Sequence, residues 1–167
     1  MDEKSKTPLT TKTEDLVIER IFNSKPERVW EACTNPELMK QWWGPEEFTA
    51  PVIKMDFRVG GKYLNCMRSP EGKDYWSTGV IREIIPLKKI VYTDSFSDAN
   101  GNVVPGTYYG MGEDFPAELL VTFTFEEFDG KTRFTLRHAG LPAGEQIEGA
   151  RSGWSTSFNK LNKVLQK

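Results

Sequence analysis

Residues 131–167, KTRFTLRHAGLPAGEQIEGARSGWSTSFNKLNKVLQK, decide the fold, because their apolar period changes once, near Pro142. Before that proline, Phe134, Leu136 and His138 alternate with Arg133, Thr135 and Arg137, the period of two of a strand with one face turned to a core. Beyond it, Ile147, Ala150, Trp154, Phe158, Leu161 and Leu165 recur at three- and four-residue steps, with Glu148, Arg151, Lys160 and Lys163 elsewhere. The chain therefore ends in a long amphipathic helix. One strand earlier, Leu119, Val121, Phe123 and Phe125 share a side opposite Thr122, Thr124 and Glu126, and that apolar side must face the helix.

Working outward toward the N-terminus, strand-like runs occupy 51–58, 61–68, 74–85, 88–96 and 117–127 ahead of 131–138. Gly60-Gly61, Pro70-Glu71-Gly72, Pro86-Leu87-Lys88 and Asp129-Gly130 stand where hairpin turns are needed. LVIERIF, following Asp15, adds a seventh strand, so the strands are expected to form an antiparallel meander. Between this first strand and the rest, Ser24-Lys25-Pro26-Glu27 offers an N-cap serine with a glutamate three positions later. Val29, Trp30 and Cys33, then Leu38, Met39 and Trp42, keep helical spacing, but Asn35-Pro36 divides them into two short helices and Gly44-Pro45 ends the second. Residues 97–116 are rich in Gly, Asp and Asn and carry Tyr108, Tyr109 and Met111, which marks a long loop of the functional kind. Residues 1–14 are polar and without period, expected to be a flexible tail, and 15–167 form a single α+β domain.

Charge and composition narrow the function classes. Twenty-two Lys and Arg against twenty-four Asp and Glu leave a net charge of -2, so nothing steers the protein toward nucleic acid. The longest apolar runs are of strand length, and the N-terminus has no apolar signal core, so membrane insertion is not expected and the cytoplasm is the expected location. Cys33 and Cys66 then read as reduced, packed thiols. One His and two well-separated Cys supply no recognisable zinc set, so neither metal nor cofactor is predicted. Gly153-Trp154-Ser155-Thr156-Ser157 is half of a nucleophile elbow inside a helical pattern, and Tyr109-Gly110-Met111-Gly112 lacks the third glycine of a dinucleotide loop. No catalytic constellation emerges, and no pair is fixed among the strand carboxylates Asp56, Glu83, Asp94 and Glu118.

What stands out is aromatic surface: five Trp and ten Phe. Trp154 and Phe158 on the helix, with Trp43, Trp76, Tyr92 and Phe123, either fill a core or line a ligand cavity. Tyr108 in the long loop is a candidate lid residue, and inward-facing His138 is either a polar anchor in that cavity or a hydrogen-bonded structural histidine.

Four stretches add a resemblance. VIERIFNSKPERVWEACTNPELMKQWWGP (17–45), DFRVGGKYLNCMRSPEGKDY (56–75), STGVIREIIPLKKIVYT (77–93) and KTRFTLRHAGLP (131–142) resemble the family named for the C-terminal domain of the heat-shock protein 90 ATPase activator. That family lies within the Bet v 1/START-like (SRPBCC) superfamily, and the likeness runs in order over about residues 15–166. It implies a helix-grip fold, a curved seven-stranded antiparallel sheet with two short helices and a long C-terminal helix, enclosing a cavity between sheet and last helix. It further implies binding of a small hydrophobic molecule there. The alternatives are an interaction protein that stimulates a chaperone ATPase and a cyclase- or hydrolase-type enzyme using the same cavity.

Overall fold

Seven strands form one antiparallel sheet in the computed structural model, which describes residues 12–167. They are β1 (Thr13–Phe22), β2 (Thr49–Met55), β3 (Lys62–Arg68), β4 (Asp74–Ile85), β5 (Lys89–Ser97), β6 (Leu119–Phe128) and β7 (Lys131–Pro142). Between β1 and β2 lie α1 (Pro26–Thr34) and α2 (Pro36–Met39), and α3 (Glu145–Leu165) closes the chain. The order β1-β7-β6-β5-β4-β3-β2 is a meander from β2 to β7, to which β1 is added beside β7 rather than beside β2. This is the expected α+β helix-grip architecture.

Two local readings change. Thr13 and Glu14, expected in the tail, belong to β1 and pair with Pro142 and Leu141; residues 1–11 of that tail lie outside the described residues. Helix α1 is entered through Lys25 with no side-chain cap, not through Ser24, because the fixed φ of Pro26 suits the first helical position. Ser24 ties elements together instead: its carbonyl accepts from Thr132 Oγ1 at 2.7 Å, and its hydroxyl donates to the Leu165 carbonyl at 3.5 Å. Asn35 does cap α2, its side chain accepting from the Glu37 amide at 2.9 Å.

The inner face of the sheet is an aromatic lattice centred on Phe134, whose ring lies 5.2 Å from Phe123, 5.3 Å from Phe125, 5.2 Å from Phe158 and 5.8 Å from Phe22. Through Phe158 and Leu161, both fully buried, α3 rests on this lattice over β1 and β7. Polar contacts hold α3 at both sides. Arg28 donates to the Leu165 carbonyl at 3.0 Å at the helix's C-terminal end, where orphan carbonyls need a donor. Ser157 donates to the Gly44 carbonyl at 2.5 Å, and Lys160 donates to Pro45 and Phe48 carbonyls at 2.9 and 3.2 Å. The loop after α2 is thus fastened to the middle of α3.

Because Phe158 has no exposed surface while Trp154 is only half-buried, the two aromatic residues of α3 should differ on truncation. Phe158→Ala is expected to cost about 3–5 kcal/mol, the range for emptying a packed aromatic site, and Trp154→Ala clearly less. Denaturant titration checks this, and equal losses would mean that Trp154 is as deeply packed as Phe158.

Candidate functional site

The sheet's inner face is not completely filled. A cavity of ≈ 30 Å³ remains, lined by Cys33 of α1, Met39 of α2, Trp43, Met55 and Phe57, Tyr63 and Asn65 of β3, Ile81 of β4, Ile90 and Tyr92 of β5, and Phe123 of β6. Its walls are therefore the two short helices and the middle of the sheet. The sequence places the cavity against the long helix; here α3 stands behind the wall, Trp154 meeting Trp43 at 5.5 Å and Phe123 at 6.0 Å. The physical reason is that the short link from β7 holds α3 over β1 and β7.

A polar cluster adjoins this apolar space. The Tyr63 hydroxyl shares its proton between the Thr93 carbonyl at 2.8 Å and Asp94 Oδ1 at 3.1 Å. Gly79, opposite Tyr63 in the ladder, makes room for this: a Cβ there would stand 2.7 Å from the Tyr63 ring. Asp94 Oδ2 lies 3.6 Å from His138 Nε2, beyond hydrogen-bond reach. On the imidazole's other side, Trp154 Nε1 donates to His138 Nδ1 at 3.0 Å. With Nδ1 accepting, a neutral His138 carries its proton on Nε2 and presents a donor toward Asp94.

The electrostatics follow from burial. Desolvation raises the Asp94 carboxyl above its usual range, opposed by His138 and by the Tyr63 hydrogen bond, although the side chain keeps 27% of its exposure and so touches solvent. Desolvation lowers His138, with Asp94 opposing. Burial first and the Asp94 charge second raise both Tyr63 and Tyr92, so both remain protonated donors. Burial also pushes the Cys33 thiol far up, which leaves it unreactive. Three buried atoms find no hydrogen-bond partner among the described residues: Asn65 Oδ1, Tyr92 Oη and His138 Nε2.

Of the eight candidates read from the sequence, Trp43, Tyr92 and Phe123 line the cavity. Trp154 and His138 form the polar flank just outside it, and Phe158 is core beneath the helix. Trp76 points to the opposite face, because it pairs with Cys66 while Asn65 and Tyr63, on the cavity side, pair with Ser77 and Gly79. Tyr108 is 59% exposed. Its neighbour Tyr109 is the buried one, donating to the Ser97 carbonyl at 2.6 Å and accepting from the Trp76 amide at 3.1 Å. Sequence reasoning missed Tyr63 and Asn65 and left Asp94 without a partner.

Two measurements follow. Tyr63→Phe strands a carbonyl and a carboxylate and should cost about 1–3 kcal/mol, whereas Tyr92→Phe removes a buried hydroxyl with no partner and should leave stability unchanged or higher. Chemical denaturation of both variants compares them. His138 is the sole histidine, so its NMR titration is unambiguous; its midpoint should fall below 6.5. A depressed folded-state value means that this contribution to stability is complete above 6.5 and is lost as pH falls through the folded value. His138→Gln should remove that part of the acid-side slope, and a midpoint at or above 6.5 would contradict the desolvated site.

The fold recurs in solved structures. A protein from Chromobacterium violaceum is 25% identical with a TM-score of 0.77, the alignment covering 92% of this chain and 98% of that one. The AHSA1 protein from Silicibacter pomeroyi is 28% identical with a TM-score of 0.75, covering 91% and 97%. A protein from Mycobacterium smegmatis is 27% identical with a TM-score of 0.73, covering 92% and 91%. Among curated proteins there is no significant match. Residues 23–166 match the family described as Activator of Hsp90 ATPase homolog 1-like protein, and with that match spanning most of its length the chain belongs to this family.

Proposed function

We propose that the protein binds a small, largely apolar molecule in the cavity beneath α1 and α2. The observation that carries this reading is an apolar cavity on the inner face of the sheet with two buried polar side chains in its wall, Asn65 and Tyr92, each with one atom unpartnered among the described residues. Close-packed interiors normally leave neither free space nor unpaired polar atoms at their centre. Membership in a family that typically binds hydrophobic ligands supports it.

The size of the chamber sets a condition. At ≈ 30 Å³ it holds a water molecule but falls far below the roughly 300 Å³ of the smallest ordinary ligand pockets. Binding therefore enlarges it, and the wall residues able to yield are Met39 and Met55, which are unbranched and adaptable, and the half-buried Trp43 and Phe57. The strand side, with Ile81, Ile90 and Phe123 buried in the ladder, stays in place. Apolar burial supplies the affinity at about 25 cal/mol per Å² removed from water.

Titration with N-phenyl-1-naphthylamine, a neutral dye that brightens in apolar surroundings, tests the proposal. The protein should enhance its fluorescence saturably. Cys33→Leu, which fills the chamber from α1, should weaken binding about tenfold or more while the thermal midpoint moves by only a few degrees. Undiminished binding by the folded variant, or none by the native protein, would sink the proposal.

A further inference from the structure

We infer that the ligand of this cavity is neutral and carries a group that both donates and accepts a hydrogen bond, a hydroxyl or an amide, held between Asn65 and Tyr92. The inference rests on the reading that the cavity binds a ligand, and it names the ligand's chemistry.

Asn65 is 3% and Tyr92 8% exposed, and both stand in the cavity wall. The free atom of Asn65 is an acceptor, Oδ1, and that of Tyr92 is a hydroxyl with its proton to give. A complementary group must therefore give a proton to Asn65 and take one from Tyr92. A hydroxyl carries both functions on one oxygen, and a primary or secondary amide carries them on its N–H and C=O. A hydrocarbon satisfies neither atom and leaves their desolvation uncompensated.

Charge selects further. Asp94 holds Tyr63 at 3.1 Å, and the Tyr63 ring lies 5.4 Å from that of Tyr92, so a carboxylate stands one aromatic ring from the polar wall. No Lys or Arg is among the lining residues. A carboxylate or sulfonate on the ligand would face Asn65 Oδ1 and the Asp94 charge with no cation to offset them, in a site where burial strengthens every such repulsion. The neighbouring His138 offers no compensation, since its neutral form is favoured by the same burial.

Four probes of one ring system separate the possibilities: naphthalene, 2-naphthol, 2-naphthamide and 2-naphthoate, each measured by equilibrium dialysis against the native protein. The expected result is that 2-naphthol, 2-naphthamide or both bind about tenfold or more tightly than naphthalene and 2-naphthoate, their order telling hydroxyl from amide. On Tyr92→Phe and on Asn65→Leu the ratio of the favoured probe's affinity to that of naphthalene, both measured on the same variant, should fall close to one. Binding of both 2-naphthol and 2-naphthamide no tighter than that of naphthalene, tighter binding of 2-naphthoate, or a preference that survives both substitutions in folded protein overturns the inference and leaves the cavity reading standing. Failure of all four to bind removes the cavity reading and this inference with it.

Discussion

One geometric constraint shapes the rest: the sheet is wider than the helix that grips it. Seven strands about 4.8 Å apart separate the edge strands by roughly 29 Å along the sheet, whereas a helix with its side chains is about 10 Å across. Helix α3 therefore covers about two strands, and the link from β7 fixes these as β7 and its neighbour β1. The middle strands must be roofed by other means. Helices α1 and α2 supply part of the cover, and the ring lattice around Phe134 and Phe123 supplies more. The cavity occupies the place where these covers meet, under Cys33, Met39 and Trp43.

Packing alone would fill that place with aliphatic side chains, yet the inner face there carries Tyr63, Asn65, Tyr92, Asp94 and, one step outside, His138. Each adds desolvation cost, and only some recover it. Tyr63, Asp94 and Trp154 are joined by hydrogen bonds to protein groups, while Asn65, Tyr92 and His138 keep one atom each unpaired. A sequence that is otherwise consistent from turn to core breaks the packing rule at one location, which is where function is expected to reside. The tautomer also limits the chemistry: Nδ1 of His138 is taken by Trp154, so the neutral ring presents a donor rather than a free base on its Asp94 side.

Much of this was legible in the sequence, and the failures have physical causes. Strict alternation in β7 and β6 put Phe134, Leu136, His138 and Phe123 on the inner face, where they are. In β3 the same rule had no purchase: Leu64 and Cys66 are apolar on one parity while Tyr63 and Asn65 take the other, and Cys66 is itself fully buried. With neither face marked polar, Trp76, the partner of Cys66, could not be assigned. The pair Tyr108–Tyr109 lies in an aperiodic loop, and the turn of 3-10 helix at Gly106–Tyr109 sends one ring out and the other in. Asp94 and His138 are 44 positions apart, and only the order β5-β6-β7 brings them together. An amphipathic stripe shows that α3 buries a face; it does not show which strands receive it.

The same contacts that roof the cavity connect its apolar and polar ends. Trp43 is a wall residue, and it leads directly into Gly44 and Pro45, whose carbonyls are held by Ser157 and Lys160 of α3. Its ring meets Trp154 edge-on at 5.5 Å, and Trp154 fixes the orientation of His138. A ligand too large for ≈ 30 Å³ must displace the yielding part of the wall, and Trp43 belongs to that part. Displacement of Trp43 bears on Trp154, and through its indole N–H on the ring beside Asp94. On the proposed reading, the ligand chamber and the hydrogen bond that orients His138 therefore share one structural element, the Trp43–Trp154 contact.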